Sequence, residues 1–461
     1  MAITILVVGL LVFVGHFLAG FFERTKVPDV LVLMLAGILL GPVFDIVEPA
    51  DFGKVGPVFT TLALIIILFE GGIHLNVRAL GSAAADTLTV TLATMAVTVL
   101  LLSHLADLLL PIDFATALFV GTVLGGTSSA VVVPLLRVLK PNPVPSTVMF
   151  LESALTDVLV IVLSLGLLQA MMAGGLEALG ARDLSAQVGK SFLMAGLVGA
   201  VGAFVWSAIL DRVRQLPNTV FTTLAYVFIL FGLTELWGYS GAIAALTFGI
   251  AVANFPNIPD SMFGRIFSFR LAAFQEHERA FFGEAVFLVK TFFFVYLGVS
   301  ITFADWRAVA IGLLLGVGAF VARAPIVRLL ASPSTTSRRD ASLMTVLVPK
   351  GLASAVMASV PAQAGLPGAD IIQGTVYAAI FFSIVTCAVL VVVVERGTFD
   401  TLLRPWLDKF PDKIEAVEPS AEQPKTEVGL SPFSTDLLEP NPITELDRPG
   451  GSQLPPDDAN P

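Results

Sequence analysis

Phe150-Leu151-Glu152-Ser153-Ala154-Leu155-Thr156-Asp157 runs straight into an unbroken apolar run, Val158 to Leu163. Glu152 and Asp157 therefore lie in a segment, near 145–173, that is otherwise apolar and long enough to cross a bilayer. A charge near the bilayer centre costs from about 3 to more than 10 kcal/mol, depending on how the cost is assessed, and such groups face a bundle interior or water. On a helix, Ser153 and Asp157 stack at i, i+4, as do Glu152 and Thr156, on adjoining faces. The segment before it carries Gly125-Gly126-Thr127-Ser128-Ser129 in its middle. Two glycines and three hydroxyl residues amid apolar neighbours predict a helix that breaks and offers carbonyls and hydroxyls to a cation, as discontinuous membrane helices do at the midplane. The two stretches together predict an ion site. In it Asp157 carries a proton or a cation, because desolvation disfavours a carboxylate that stands alone.

The composition agrees with a membrane setting. Hydrophobic residues are 56% of the chain and charged residues 13%, about half the charged share usual in soluble domains. The expected fold class is an all-α polytopic membrane protein. One cysteine, Cys387, excludes an intramolecular disulfide and any cysteine-based metal cluster. The net charge of −10 says nothing about a substrate, since from Glu415 onward ten acidic residues stand against Lys425 and Arg448. Met1 to Leu6 lack the basic region of a cleavable signal peptide, so the first apolar segment is expected to remain as a helix.

About thirteen apolar segments are expected, near 3–22, 29–47, 55–75, 84–110, 113–139, 145–173, 187–213, 218–236, 239–255, 280–302, 306–331, 341–365 and 370–395. The eighth and ninth are parted only around Trp237-Gly238, so a count of twelve stays open. One set of loops holds most of the basic residues, from Arg24 and Lys26 through Arg137, Lys140, Arg338 and Arg339 to Arg396. The opposite set holds Lys54, Arg182, Lys190 and Arg307. This asymmetry predicts an external N-terminus and a cytoplasmic C-terminus. An internal repeat is also visible. Gly126-Thr127-Ser128-Ser129-Ala130-Val131 in the fifth segment and Gly351-Leu352-Ala353-Ser354-Ala355-Val356 in the twelfth share a glycine, Ser-Ala-Val and a later proline, Pro134 or Pro361, at an offset of 225 residues. Small residues are common at membrane helix contacts, which makes chance the rival explanation. A repeat would give two inverted halves, with the interrupted helices crossing beside Asp157.

Leu68-Phe69-Glu70-Gly71-Gly72, Gly126-Thr127-Ser128-Ser129, Glu152-Ser153-Ala154-Leu155-Thr156-Asp157, Ala322-Arg323 and Lys350-Gly351-Leu352 occur in this order and spacing. With them the chain resembles the monovalent cation:proton antiporters of the sodium/proton exchanger superfamily, in particular the NhaP-like branch, over about residues 5 to 397. The resemblance implies exchange of Na⁺, or Li⁺ or K⁺, for H⁺ by alternating access in the cell's plasma (inner) membrane, without a cofactor. It implies a homodimer in which core helices, about 84–173 and 306–395, move against dimerisation helices, about 3–75 and 187–302. It also implies that Glu152 and Arg323 form a structural ion pair. The expected cation and proton site comprises Asp157, Ser153, Thr127, Ser128, Glu70 and Thr156, with Na⁺ held at Asp157, Ser153, Thr127 and Glu70. Hard cations take oxygen ligands, yet these hydroxyls could instead satisfy helix backbone. Glu70 reads either as a ligand or as a carboxylate at the membrane edge near His74 and Asn76. Lys350 reads as a gating or helix-break residue that neutralises carbonyl ends, or as a snorkelling lysine. Two departures stand out. The family's usual Thr-Asp-Pro is Thr127-Ser128-Ser129 here, and its Asn-Asp or Asp-Asp pair is Thr156-Asp157. One carboxylate at that pair resembles the electroneutral branch.

Other readings are weaker. A K⁺-selective antiporter, or a channel-like or symporting ion pathway, fits the same scaffold. An intramembrane hydrolase would need a base for Ser128 or Ser129, and His16, His74, His104 and His277 are scattered. No phosphate-binding or dinucleotide fingerprint occurs, so an enzyme is not expected. Glu284 and Lys290, at i, i+6, are not expected to pair with each other. Arg404-Pro405-Trp406-Leu407-Asp408-Lys409 is expected on the inner membrane surface. The rest of 398–461, acidic and proline-rich, is expected to be a mostly disordered cytoplasmic tail.

Overall fold

Long apolar runs without internal caps can satisfy their backbone in lipid only by coiling, and helices are what the chain forms. The computed structural model describes residues 9, 10, 13, 28–48, 55–74, 85–172, 182–215, 220–255, 272, 274–301, 306–397 and 406–412. Among the described residues every regular element is helical. They are α1 (Asp29–Ile38, continued by a π-helical turn Leu39–Val43), α2 (Val55–His74), α3 (Ala85–Leu109), α4 (Phe114–Val123), α5 (Ser129–Leu139), α6 (Pro143–Met172) and α7 (Arg182–Val213). There follow α8 (Val220–Leu236), α9 (Gly241–Asn254), α10 (Glu276–Ser300), α11 (Trp306–Leu330), α12 (Arg338–Val346), α13 (Leu352–Gln363) and α14 (Ala369–Glu395). Six of them are long and apolar enough to cross a membrane on length and composition alone. Every expected segment from 29–47 to 370–395 coincides with a helix or with an interrupted pair of helices. The expected first segment at 3–22, with the basic residues Arg24, Lys26, Lys54, Arg78, Arg265 and Arg270, lies outside the described residues apart from 9, 10 and 13. So do His16, Asn76, Arg404 and everything beyond 412.

The fifth and twelfth segments are each two half-helices. The first interruption is Leu124–Ser128, between α4 and α5; the second is Leu347–Gly351, between α12 and α13. Gly125 and Gly126 are poor helix formers, each about 1 kcal/mol worse than alanine. Gly126 also has no room for a side chain, since a Cβ there would lie 2.5 Å from Val160 Cγ2 and 3.1 Å from Thr156 O. In the second interruption Pro349 lacks an N–H and steers Val348 towards extended backbone.

The internal repeat has a structural counterpart. A long helix, an interrupted pair and a second long helix recur as α3, α4–α5, α6 and as α11, α12–α13, α14. The two interruptions lie in the fifth and twelfth expected segments, an offset of seven, and an odd offset inverts one unit relative to the other. Two glycine contacts carry the same relation. α1 meets α10 where a Cβ on Gly37 would come within 2.9 Å of Gly298 Cα; α2 meets α9 where a Cβ on Gly72 would come within 3.1 Å of Gly249 Cα. Exchanging α1 for α9 and α10 for α2 turns one contact into the other. Small residues let helix backbones close to this distance in a membrane bundle.

Packing falls into two groups. α1, α2, α7, α9 and α10 form one, through the α2–α9, α7–α9 and α1–α10 contacts; α3, α4, α11 and α14 form the other, through α3–α4, α3–α11 and α11–α14. α6 and α13 join the second group and touch α2 across a thinner seam. Lys290 pairs with Asp29 at 2.7 Å, fastening α10 to α1. In the second group Asp340 caps α12 through Ser337 and accepts the Asn142 N–H at 3.3 Å, tying α12 to the start of α6.

Residues 406–412 differ from the expectation of a segment lying on the membrane surface. Leu407 and Phe410 are buried. The Arg338 N–H donates to Pro411 O at 2.8 Å, and Lys409 Nζ donates to Ala331 O at 3.0 Å. Arg338 pairs with Asp412, and Arg328 with Asp408. Burying the two apolar plugs, Leu407 and Phe410, against the protein stabilises the strap. Residues 416–461 form a separate unit that lies outside the described residues.

Candidate functional site

The two interruptions are joined directly. Extended backbone leaves N–H and C=O groups unpaired inside a bundle, where each must find a partner. The Ser128 N–H finds Pro349 O at 2.8 Å. The Lys350 N–H finds Ser383 Oγ of α14 at 2.9 Å. Thr156 Oγ1 accepts the Thr127 N–H at 3.0 Å and lies 3.4 Å from Thr127 O. The Thr156 hydroxyl thus pins the first interruption to α6. Gly351 is required here, because a Cβ would overlap the Ser128 side chain. The Ser128 hydroxyl, 1% exposed, has no hydrogen-bond partner among the described residues.

Half-helix ends expose partial charges, positive at an N-terminus and negative at a C-terminus. Both are met by side chains. Lys350 Nζ, on a residue 1% exposed, donates to Gly126 O at 2.9 Å, just past the carbonyl end of α4. Asp157 stands at the amide end of α5. Its Oδ2 accepts the Ser129 N–H at 3.0 Å and the Ser129 hydroxyl at 2.5 Å. Its Oδ1 accepts no hydrogen bond from the described residues. Asp157 is half-buried, and Glu70 of α2 lies within electrostatic reach of it across the seam.

One and a half turns back along α6, Glu152 is 2% exposed and Arg323 of α11 is 1% exposed. The two form a bidentate pair, with Arg323 Nη2 at 2.5 Å from Glu152 Oε2 and Nη1 on Oε1. Arg323 Nε donates to Met344 O of α12 at 2.9 Å. Planar fork-to-carboxylate geometry of this kind is the form in which a buried pair is best satisfied. Lys350 lies within electrostatic reach of this pair as well.

The candidate residues therefore separate. Asp157, Thr127, Ser128, Thr156 and Lys350 gather at the crossing, with Glu70 facing them from α2. The Ser153 hydroxyl, fully buried, donates instead to Phe150 O of its own helix at 2.9 Å. Glu152 is committed to Arg323. His104 is exposed, and the His74 side chain lies outside the described residues. Pro349 and Ser383 had not been singled out, and Ser129 had been named only within the interrupted stretch, not as a partner of Asp157. For Ser129 the signal was its place at the first position of a half-helix, where N–H groups point outward; for Ser383, 33 residues from its partner, no local pattern existed.

A cavity of about 420 Å³ opens along the seam beside the C-terminal half of α6. Thr61, Gln169, Tyr239, Gln363 and Glu235 line it, Glu235 being the one charged lining residue among the described residues.

A multi-pass helical bundle in which two interrupted helices meet beside a carboxylate is the architecture of a secondary transporter. The chain belongs to the sodium/hydrogen exchanger family, whose transmembrane model matches residues 9–396. It is 24% identical over 387 residues to a K⁺/H⁺ antiporter, NhaP2, of Shewanella oneidensis, covering 79% of this chain and 62% of that one. It is 25% identical over 161 residues to Na⁺/H⁺ antiporter 1 of Methanocaldococcus jannaschii, covering 33% of this chain and 37% of that one. The chain thus spans less than two thirds of the length of either relative. The structure of the sodium proton antiporter MjNhaP1 from Methanocaldococcus jannaschii at pH 8 superposes with a TM-score of 0.64 at 20% identity, over 85% of this chain and 98% of that one. At that identity the likeness concerns the fold.

Proposed function

We propose that the protein exchanges a monovalent cation, Na⁺ or K⁺ (Li⁺ as a congener), for H⁺ across the membrane by alternating access, with Asp157 as the shared carrier. The observation that carries the proposal is the Asp157 carboxylate at the meeting of the two interruptions, with Oδ2 held by Ser129 and Oδ1 accepting no hydrogen bond from the described residues. A proton and a cation compete for one carboxylate, so loading one releases the other. Thr127, Ser128 and Glu70 supply further oxygens. Thr156 and Ser153 act through their backbone contacts, which shape the site. Glu152 and Arg323 hold α6 to α11, and Lys350 neutralises the carbonyl end of α4.

The two packing groups support a division into a moving core, 84–173 and 306–395, and a dimerisation part, 3–75 and 187–302, with transport along the seam that Glu70 and the cavity border. The homodimer, the plasma membrane and the external N-terminus belong to the same proposal; the loop charge asymmetry supports the last. The names of the relatives include both K⁺/H⁺ and Na⁺/H⁺ antiporters, so the choice of cation is for measurement.

The test is exchange in sealed proteoliposomes with an internal pH dye, adding Na⁺, K⁺ or Li⁺ in turn. At least one cation should drive proton movement, and Asp157→Asn, at normal reconstituted protein levels, should drive none. Proton movement retained by Asp157→Asn, or current without cation–proton coupling, would refute the proposal.

A further inference from the structure

Among the described residues Asp157 is held on one side only. Both hydrogen bonds it accepts from them come from Ser129, at the first position of α5, and both end on Oδ2. A hydroxyl and an amide donated to one carboxylate oxygen fix the plane of the carboxylate and leave the other oxygen for a ligand. The amide is backbone and survives any substitution that keeps the half-helix. The hydroxyl is specific to serine, threonine or, weakly, cysteine. It donates its one proton to the carboxylate and keeps two lone pairs.

Resting on the antiport reading above, we propose that the Ser129 hydroxyl is the positioning residue that sets the balance between proton and cation at Asp157. A hydrogen bond given to a carboxylate favours its charged, cation-binding form over the protonated form. Withdrawing the hydroxyl therefore favours the proton, and more alkaline conditions are needed to load the cation. The other charged groups around Asp157 stay fixed in the comparison. α2 brings Glu70, the second interruption brings Lys350, and α11 brings Arg323, which is committed to Glu152. α4 and α13 carry no charged side chain, and Arg137 lies at the far end of α5. On α3 His104 and Asp107 are exposed, on α7 Lys190 is exposed, and α12's Asp340 is bound to Asn142 at the start of α6.

Ser129 is the first residue of α5 and not its cap; Ser128 holds the cap position, where its side chain makes no capping hydrogen bond. A Ser129→Ala chain keeps the Ser129-position amide on Asp157 and loses only the hydroxyl. The experiment compares cation-driven proton exchange in proteoliposomes for the parent chain, Ser129→Ala and Ser129→Thr across pH 5.5–9, with detergent melting as the folding control. For Ser129→Ala the expected result is retained maximal exchange at high pH, an acid limb moved by about one pH unit towards alkaline, and an apparent KM for the cation about tenfold higher at neutral pH. That is the scale of one charge-assisted hydrogen bond. Ser129→Thr should restore both. An unchanged pH profile and KM in Ser129→Ala, with normal melting, would overturn the proposal while leaving the antiport reading intact. A parent chain that exchanges no cation for protons would overturn that reading instead. If Ser129→Ala melts early, Ser129→Thr and Ser129→Cys decide: the weak thiol donor should give the alkaline shift and threonine should not, and equal profiles for the two would count against the proposal.

Discussion

Replacing Arg323 with alanine removes two hydrogen bonds to Glu152 and one to Met344 O, all from a side chain 1% exposed. Glu152, 2% exposed, loses its bonded counter-charge and keeps only the more distant influence of Lys350 among the described residues. Removing one partner of a buried pair costs about 3–5 kcal/mol, because the other charge stays buried without its partner. The unpaired Met344 carbonyl adds about 1–3 kcal/mol where water does not reach it. The Arg323→Ala protein should melt well below the parent in detergent at pH 7. Glu152→Gln with Arg323→Gln, which leaves no charge behind, should recover part of the loss. Equal melting of Arg323→Ala and the parent at pH 7 would refute this reasoning, and so would a double variant no better than the single one.

Exchange should be electroneutral, since Asp157 is the one carboxylate at the Thr156-Asp157 pair and Glu152 is neutralised by Arg323; moving a net charge would be biased by about 2.3 kcal/mol per 100 mV, about fifty-fold in the gradient. A Na⁺-driven exchange endpoint that follows a potassium–valinomycin potential would identify a second titrating group, with Glu70 the first to mutate, provided K⁺ is not itself carried. Gly351→Ala should abolish exchange by driving a methyl group into the Ser128 side chain, and adding Ser128→Gly should restore part of it; activity in the single variant would mean that the crossing is looser than described. Phe410→Ala, which removes a plug 1% exposed, should cost about 3 kcal/mol or more and make the chain beyond residue 397 more sensitive to limited proteolysis. Unchanged cleavage would place the strap's anchorage in its ion pairs.

Most of the bundle was legible because lipid leaves few options. Apolar length places the helices, and paired glycines or a proline mark where they stop. Asp157 was legible because a carboxylate in such a run has few inert explanations, and the 225-residue echo brought Gly351 and Lys350 towards it. What stayed hidden depends on distance. Lys290 finds Asp29, a partner 261 residues away, and no helical spacing announces such a pair. Ser129 resembled any small polar residue until the half-helix start gave its N–H and hydroxyl one direction. Ser153 shares a face with Asp157, and its hydroxyl proton goes to the carbonyl of Phe150 within the same turn, which leaves the oxygen lone pairs that the spacing pointed to. The strap misled because amphipathic composition alone does not distinguish a lipid surface from a protein one.

The bonds around Asp157 carry a geometric consequence. Its partner Ser129, the Thr156 contact with Thr127, the Ser128 joint to Pro349, the Lys350 contact with Gly126 and the Glu152 pair all begin and end within one packing group. None spans the seam. Any excursion that preserves them transports the carboxylate as freight on a rigid carriage, with no swing of its own. Glu70 stands on the trackside. The separation between Glu70 and Asp157 is then a mileage marker for the cycle, and a pair of spin labels on α2 and α6 would read it in ångströms.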